Sequence, residues 1–188
     1  MEKTENKLKS FWQLSLALAK AQFKLRNEGS YLGIFWYLLN PLLMFTLLLL
    51  VFSDRLGSGI PHYPLYLLLG IIMFNFFQQI TSFSIKTMDE NRALIKSIKF
   101  SRESLVSSTV LRTLFSHIFE IILFIIIALI FGVSLGGFIF YIPILIFFSI
   151  FVYGFSLILA SFYIYFIDIE NIWVFVSKFL FFPFSLES

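Results

Sequence analysis

Between Glu103 and Asp168 the chain carries only two formally charged side chains, Arg112 and Glu120, with His117 between them. His117 and Glu120 are three residues apart, a spacing that puts an imidazole and a carboxylate on one face of a helix, where they can share or relay a proton. An ionisable residue inside an apolar span points first to a substrate or proton path. The plainer reading is that Glu120 hydrogen-bonds a neighbouring helix or lies near the outer interface. A proton-driven carrier would show acidic groups on more than one span, and this chain does not, so the plainer reading is preferred.

Other chemistry is sparse. The chain has no cysteine and two histidines, His62 and His117, so thiol nucleophiles, disulfides and thiolate metal sites are excluded and no convincing metal site or triad forms. Neither G-x-x-x-x-G-K-[ST] nor a G-x-G-x-x-G after a strand occurs, so no recognisable loop here cradles ATP or a dinucleotide. Catalysis by this chain is not expected, and any ATP has to be bound elsewhere. Aromatic residues make up 20%, with 27 Phe, mostly as lipid-facing bulk and interfacial belts. A few could line a path for sugars, whose C–H faces rest on aromatic rings. Tyr31, Trp36, Tyr37, Tyr63, Tyr66 and Phe74 are the candidates, with Glu120 as a polar contact.

The elements that carry these residues follow from composition. Of 188 residues, 59% are apolar and 13% charged, and mean hydropathy is +0.91. A soluble domain carries about a quarter charged residues, so the fold class expected is all-α and polytopic in the membrane. Residues 1–10 are polar and expected to be ragged, with no cleavable signal peptide. Over 9–28, Phe11, Leu14, Leu18, Ala21 and Leu25 recur at helical spacing, flanked by Trp12, Leu16 and Phe23, opposite Lys9, Gln13, Lys20, Lys24 and Asn27. That pattern predicts a helix in the membrane surface, with an ordinary soluble amphipathic helix as the alternative.

Four complete spans are expected, over 33–52, 65–85, 105–131 and 138–163, the first containing Pro41. The turn-rich stretch from Ser53 to Pro64 separates the first two, and Gly132 to Gly137 the second two. The Gly132-x-x-x-Gly136 spacing reads as loop chemistry rather than a packing face. A fifth apolar segment, 172–188, carries Lys178 and is too short for a comfortable span. Lys86 to Glu103 must lie in water. There Thr87 and Glu90 have capping-box spacing, which predicts a short helix over 88–99.

Six Lys and Arg precede the first span, one (Arg55) lies in the first outer loop, and five lie in the central loop. By the positive-inside rule the N-terminus and central loop are cytoplasmic. The basic charge is thus placed for a membrane surface rather than for nucleic acid.

Read in order, the segments resemble permease subunits of ABC-2-class exporters, of the type moving O-antigen, capsular polysaccharide or teichoic acid. An amphipathic helix ends near Arg26, followed by Gly29-Ser-Tyr-Leu-Gly-Ile-Phe-Trp-Tyr-Leu-Leu-Asn-Pro-Leu-Leu43, then Tyr63-Pro-Leu-Tyr-Leu-Leu-Leu-Gly70 with Asn75-Phe-Phe77, and Leu94-Ile-Lys-Ser-Ile-Lys-Phe-Ser-Arg-Glu103. The resemblance implies a single transmembrane domain of a bacterial inner-membrane protein. It implies a second permease copy as a homodimer partner, and a separate ATP-binding cassette subunit that binds ATP and Mg. It also implies contact with membrane lipid and a lipid-linked glycan as substrate.

On the same resemblance Asp89, Glu90, Arg92, Leu94, Ile95, Lys96, Ile98, Lys99, Phe100, Arg102 and Glu103 form the coupling segment that docks into the ATPase. The family has Phe-Pro-Arg-Glu where this chain has Phe100-Ser-Arg-Glu103, and Arg-Asp where it has Ile167-Asp168. It also continues through outer re-entrant helices to a sixth span, so the chain is expected to be truncated at Ser188. The rival readings are an ATP-independent secondary carrier that uses Glu120 and His117, and a nonfunctional remnant.

Overall fold

A computed structural model describes residues 2–28, 33, 35–56, 61–91 and 102–184. Six α-helices follow in order: α1 Glu2–Asn27, α2 Phe35–Leu56, α3 Tyr63–Glu90, α4 Arg102–Ile130, α5 Tyr141–Tyr165 and α6 Ile169–Phe184, with a 3-10 turn Leu135–Phe140 before α5. Among the described residues there is no strand. The all-α polytopic class follows, since a backbone in hydrocarbon must satisfy its own hydrogen bonds.

Among the described residues three helices are long and apolar enough to cross a membrane, within Tyr63–Glu90, Glu103–Ile130 and Leu135–Tyr165. At the expected first span, α2 has an apolar stretch over Phe35–Leu50 and carries Asp54 and Arg55 near its end. Pro41 lies inside α2. The N-terminal segment expected to be ragged is helical from Glu2.

The protein-facing side of α1 lies beside the stripe expected to face the membrane. Ser15 and Ala19 are fully buried, whereas Trp12, Leu16 and Leu25 are exposed. α1 packs along α4, and small residues one turn apart let two helices approach closely. The predicted helix start at Thr87 is overturned, and the rest of the expected helix over 88–99, from Arg92 on, lies outside the described residues. α3 continues through Thr87 and Met88, both buried, to Glu90. Asn91 then ends the helix by turning its side-chain amide back to the Thr87 carbonyl at 2.9 Å. An i,i+4 pair, Lys86 with Glu90 at 3.8 Å, and the bond that Tyr163 donates to Asp89 at 2.6 Å favour the continued helix over the local capping pattern.

α3 is the shared wall of the bundle, in contact with α2, α4, α5 and α6. Fully buried Phe76 and Ile80 meet Val110 of α4 and Val152 of α5. One turn further on, Ile85 and Met88 join Leu105, Val106, Leu159, Tyr163 and Trp173. Polar side chains cross the same seams. Ser84 and Thr109 hydroxyls are 2.8 Å apart, Trp173 Nε1 donates to Thr81 Oγ1 at 3.0 Å, and Ser107 donates to the Tyr153 hydroxyl at 3.2 Å.

At the far end of α4, Gly132 has φ +67°. Gly132 N–H donates to the Leu129 carbonyl at 3.0 Å and Val133 N–H to that of Ala128 at 3.1 Å. This pair is the Schellman arrangement, which needs a left-handed residue and so favours glycine. The Gly132 to Gly136 spacing is therefore used in a turn.

Phe76→Ala should leave a cavity at the junction of three helices and cost about 3 kcal/mol. Phe147→Ala, at a side chain 75% exposed, should change little. Thermal unfolding of the purified chain in detergent separates the two.

Candidate functional site

The polar residues of the apolar bundle converge on the middle of α4. His117 and Glu120 are both about 2% exposed, and His117 Nδ1 lies 2.9 Å from Glu120 Oε2. The other carboxylate oxygen of Glu120 accepts from Gln79 Nε2 of α3 at 3.4 Å. Gln79 Oε1 in turn accepts from Arg26 Nη1, at the end of α1, at 3.2 Å. On the opposite side His117 Nε2 meets the hydroxyl of Tyr141, the first residue of α5, and that hydroxyl donates to Met73 Sδ at 3.4 Å. A hydrogen-bonded chain thus runs from α1 through α3 and α4 to α5.

The i,i+3 spacing of a helix explains the central pair, and α3 supplies the cross-helix donor expected for Glu120. An ionised carboxylate only accepts, so a proton between it and His117 resides on Nδ1. His117 also packs against Phe76, ring centroids 4.7 Å apart, which fixes the imidazole plane. The arrangement can hold a buried carboxylate without a metal and can move a proton between His117 and Glu120. Among the described residues no group of three metal-ligating side chains gathers.

Arg112, two turns earlier on α4, does not join this chain. It is 9% exposed, and its Nε and Nη2 have no hydrogen-bond partner. Its guanidinium lies 3.9 Å from the Phe83 ring centroid, and Arg26 approaches the same ring at 5.2 Å. A desolvated cation–π contact contributes about 2 kcal/mol, less than the several kcal/mol it costs to bury a charge.

The aromatic candidates for a sugar path do not share one surface. Tyr37 is buried, stacked between Phe23 and Phe119 at 6.0 and 6.2 Å. Tyr63 is in the core with Leu48, Leu67 and Ile71, and Phe74 packs on Phe181 at 4.8 Å. Trp36 and Tyr66 are exposed. Tyr66 lines a cavity of about 310 Å³ with His62, Phe124, Phe138 and Tyr141, at the junction of α3, α4, the 3-10 turn and α5. Tyr31 lies outside the described residues.

Of the coupling segment, Asp89 and Glu90 form the end of α3, Arg102 begins α4, and Glu103 is exposed in its first turn. Arg92, Leu94, Ile95, Lys96, Ile98, Lys99 and Phe100 lie outside the described residues. Sequence reasoning missed Gln79, Tyr141 and Met73, and did not connect Arg26 to Glu120. The one available signal was Gln78-Gln79 within an apolar run.

A family model described as ABC-2 type transporter matches residues 13–185. The chain belongs to the ABC-2 type transporter family. Relatives of this ABC-2 chain include an O-antigen export system permease protein RfbA of Myxococcus xanthus, 24% identical over 119 residues, covering 63% of this chain and 46% of the relative. Two proteins of the same name from Klebsiella pneumoniae are 24% and 25% identical over 162 residues, covering 85% of this chain and 62% of each relative. The chain therefore spans less than two thirds of the length of these curated relatives.

Glu120→Ala should destabilise this ABC-2 chain by roughly 2 kcal/mol, because it leaves both His117 and Gln79 without an acceptor. Glu120→Gln should cost less. A double-mutant cycle with His117→Ala, read by thermal unfolding in detergent, should give a coupling energy of about 1 kcal/mol or more.

Proposed function

We propose that the chain is the membrane-spanning permease subunit of an ATP-driven exporter that carries a lipid-linked polysaccharide of the O-antigen type across the bacterial inner membrane. The observation that carries this reading is the ABC-2 match over residues 13–185, together with O-antigen export permeases among the relatives. The bundle fits the role: three of its helices are long and apolar enough to span, and the sequence has no ATP-cradling motif.

ATP and Mg are then bound by a separate ATP-binding cassette subunit, and two permease copies enclose the path. The N-terminus and the segment between α3 and α4 face the cytoplasm, the side favoured by eleven of the fourteen Lys and Arg residues. That segment, from Asp89 to Glu103, is the natural dock. It joins two helices directly, so a push on it is transmitted to α3, and α3 contacts α2, α4, α5 and α6. Leu94, Ile95 and Ile98 supply apolar anchors, and Arg92, Lys96 and Lys99 a charged rim.

Co-expression with an ATP-binding cassette ATPase of the same organism tests the reading. The ATPase should co-purify with the wild-type chain. Association should fall by more than roughly tenfold when Arg92, Lys96 and Lys99 are reversed to Glu and Leu94 and Ile95 are cut to Ala, as expected when anchor and rim are lost together. Retained association would place the dock elsewhere.

A further inference from the structure

Arg112 is a buried cation with no carboxylate in ion-pair contact among the described residues, and the described carboxylates have other settings. Glu120 is held by His117 and Gln79, Glu28 by Lys24 at 3.4 Å and Glu90 by Lys86 at 3.8 Å. Asp89 accepts from Tyr163. Glu103 is exposed in the first turn of α4, and Asp168 and Glu170 follow α5. The segments that continue from α1 and α3, residues 29–34 and 92–101, contain no acidic residue at all. Instead, the Phe83 ring carries a second guanidinium, Arg26. Two cations that share one aromatic neighbour in an apolar bundle, one of them buried with two free N–H-bearing nitrogens, are arranged for an anion that the described residues do not supply.

We propose that Arg112 and Arg26 form a receptor for a dianionic phosphate head group of a membrane lipid. Charge balance sets the class: two guanidiniums match a phosphate monoester or a diphosphate, whereas a phospholipid diester carries a single negative charge. Position sets the source. Phe83 lies seven residues before the end of α3 and Arg112 ten residues after the start of α4, about 10 and 15 Å along the helices at 1.5 Å per residue. The site is therefore at head-group to upper-acyl depth, at the end of the bundle that carries the basic segment. Arg26 is exposed and already extends from α1 toward α3, so it offers first contact, and buried Arg112 holds the anion after its water is lost. The inference rests on the export reading for its biological meaning, since it names the part of a lipid-linked substrate that the chain would recognise. The binding itself does not require the ATPase.

The test uses the purified full chain in detergent, with unfolding followed by tryptophan fluorescence and lipid retention by native mass spectrometry. The probes are a polyprenyl diphosphate, phosphatidylglycerol and inorganic pyrophosphate. Polyprenyl diphosphate should stabilise the wild-type chain and be retained, phosphatidylglycerol should do so less, and pyrophosphate alone should give only a small shift. Arg112→Gln and Arg112→Met should weaken retention of the diphosphate lipid by roughly tenfold or more, the loss expected for a charge-assisted bond in a dry site. Arg26→Gln should weaken it less.

The lipid-free chain provides a readout of opposite sign. Arg112→Met removes an unpaired buried charge and should raise the melting temperature by roughly 2 °C or more; a fall would make Arg112 a structural residue and overturn the proposal. Equal retention by wild type and Arg112→Gln would also overturn it, and a full shift from pyrophosphate alone would overturn the lipid source. If the ATPase still co-purifies with the wild-type chain in either case, the export reading stands and only the receptor fails.

Discussion

Hydrocarbon surrounding a helix bundle is as apolar as leucine, so burial of one leucine against another does little to choose which helices meet. What singles out partners is the need of each polar side chain to find another, because no water is available at depth. In this chain α3 concentrates that need. Ser84, Thr81, Gln79 and Gln78 face four different neighbours: Thr109, Trp173, Glu120 and Ser177. Each bond is modest in energy, but the set specifies one register for α4 and α6 against α3, and Tyr163 with Asp89 does the same for α5.

The same constraint gives the His117–Glu120 pair its position. A carboxylate at 2% exposure is tolerated because an imidazole and an amide both address it, and Tyr141 closes the far side. Arg112 differs from the other buried polar groups left without a partner, Ser15, Gln22, Tyr37, Tyr63 and Ser156, in carrying a charge. Its guanidinium lies over the Phe83 ring that Arg26 also approaches, and two of its nitrogens remain free. The paired sites specify the fold, and the unpaired cation marks where something else is recognised.

Much of this was legible in the sequence. Long uncharged runs gave helices at the right places, since length and hydropathy are local properties, and the i,i+3 spacing of His117 and Glu120 put them together. The motif order around Asn40-Pro41 and Leu94 to Glu103 pointed to the family before any geometry was known. Thr87 misled because a capping box is a four-residue signal, and it lost to burial of Met88 and the bond between Asp89 and Tyr163, which lies 74 residues away. The packing of α1 on α4 through Ser15 and Ala19 was not legible, because small residues read as unremarkable in a hydrophobicity pattern. Gln79 and Tyr141 could not be assigned to the pair from spacing, since Gln79 lies 41 residues from Glu120 and Tyr141 24 from His117, and they meet it only through the packing of three helices.

Taken together, a central helix that contacts four others, a basic segment at its end and a family match over residues 13–185 fit the proposed reading, a bundle whose spans are re-aimed by a partner from one side. The direct measurement is transport in proteoliposomes that hold the chain together with its ATPase, with a lipid-linked oligosaccharide loaded in the leaflet on the ATPase side. The account predicts that the glycan becomes accessible on the opposite side only when ATP and Mg are present, and that a proton gradient does not replace them. Movement driven by a proton gradient without nucleotide, and lost in Glu120→Gln, would contradict it.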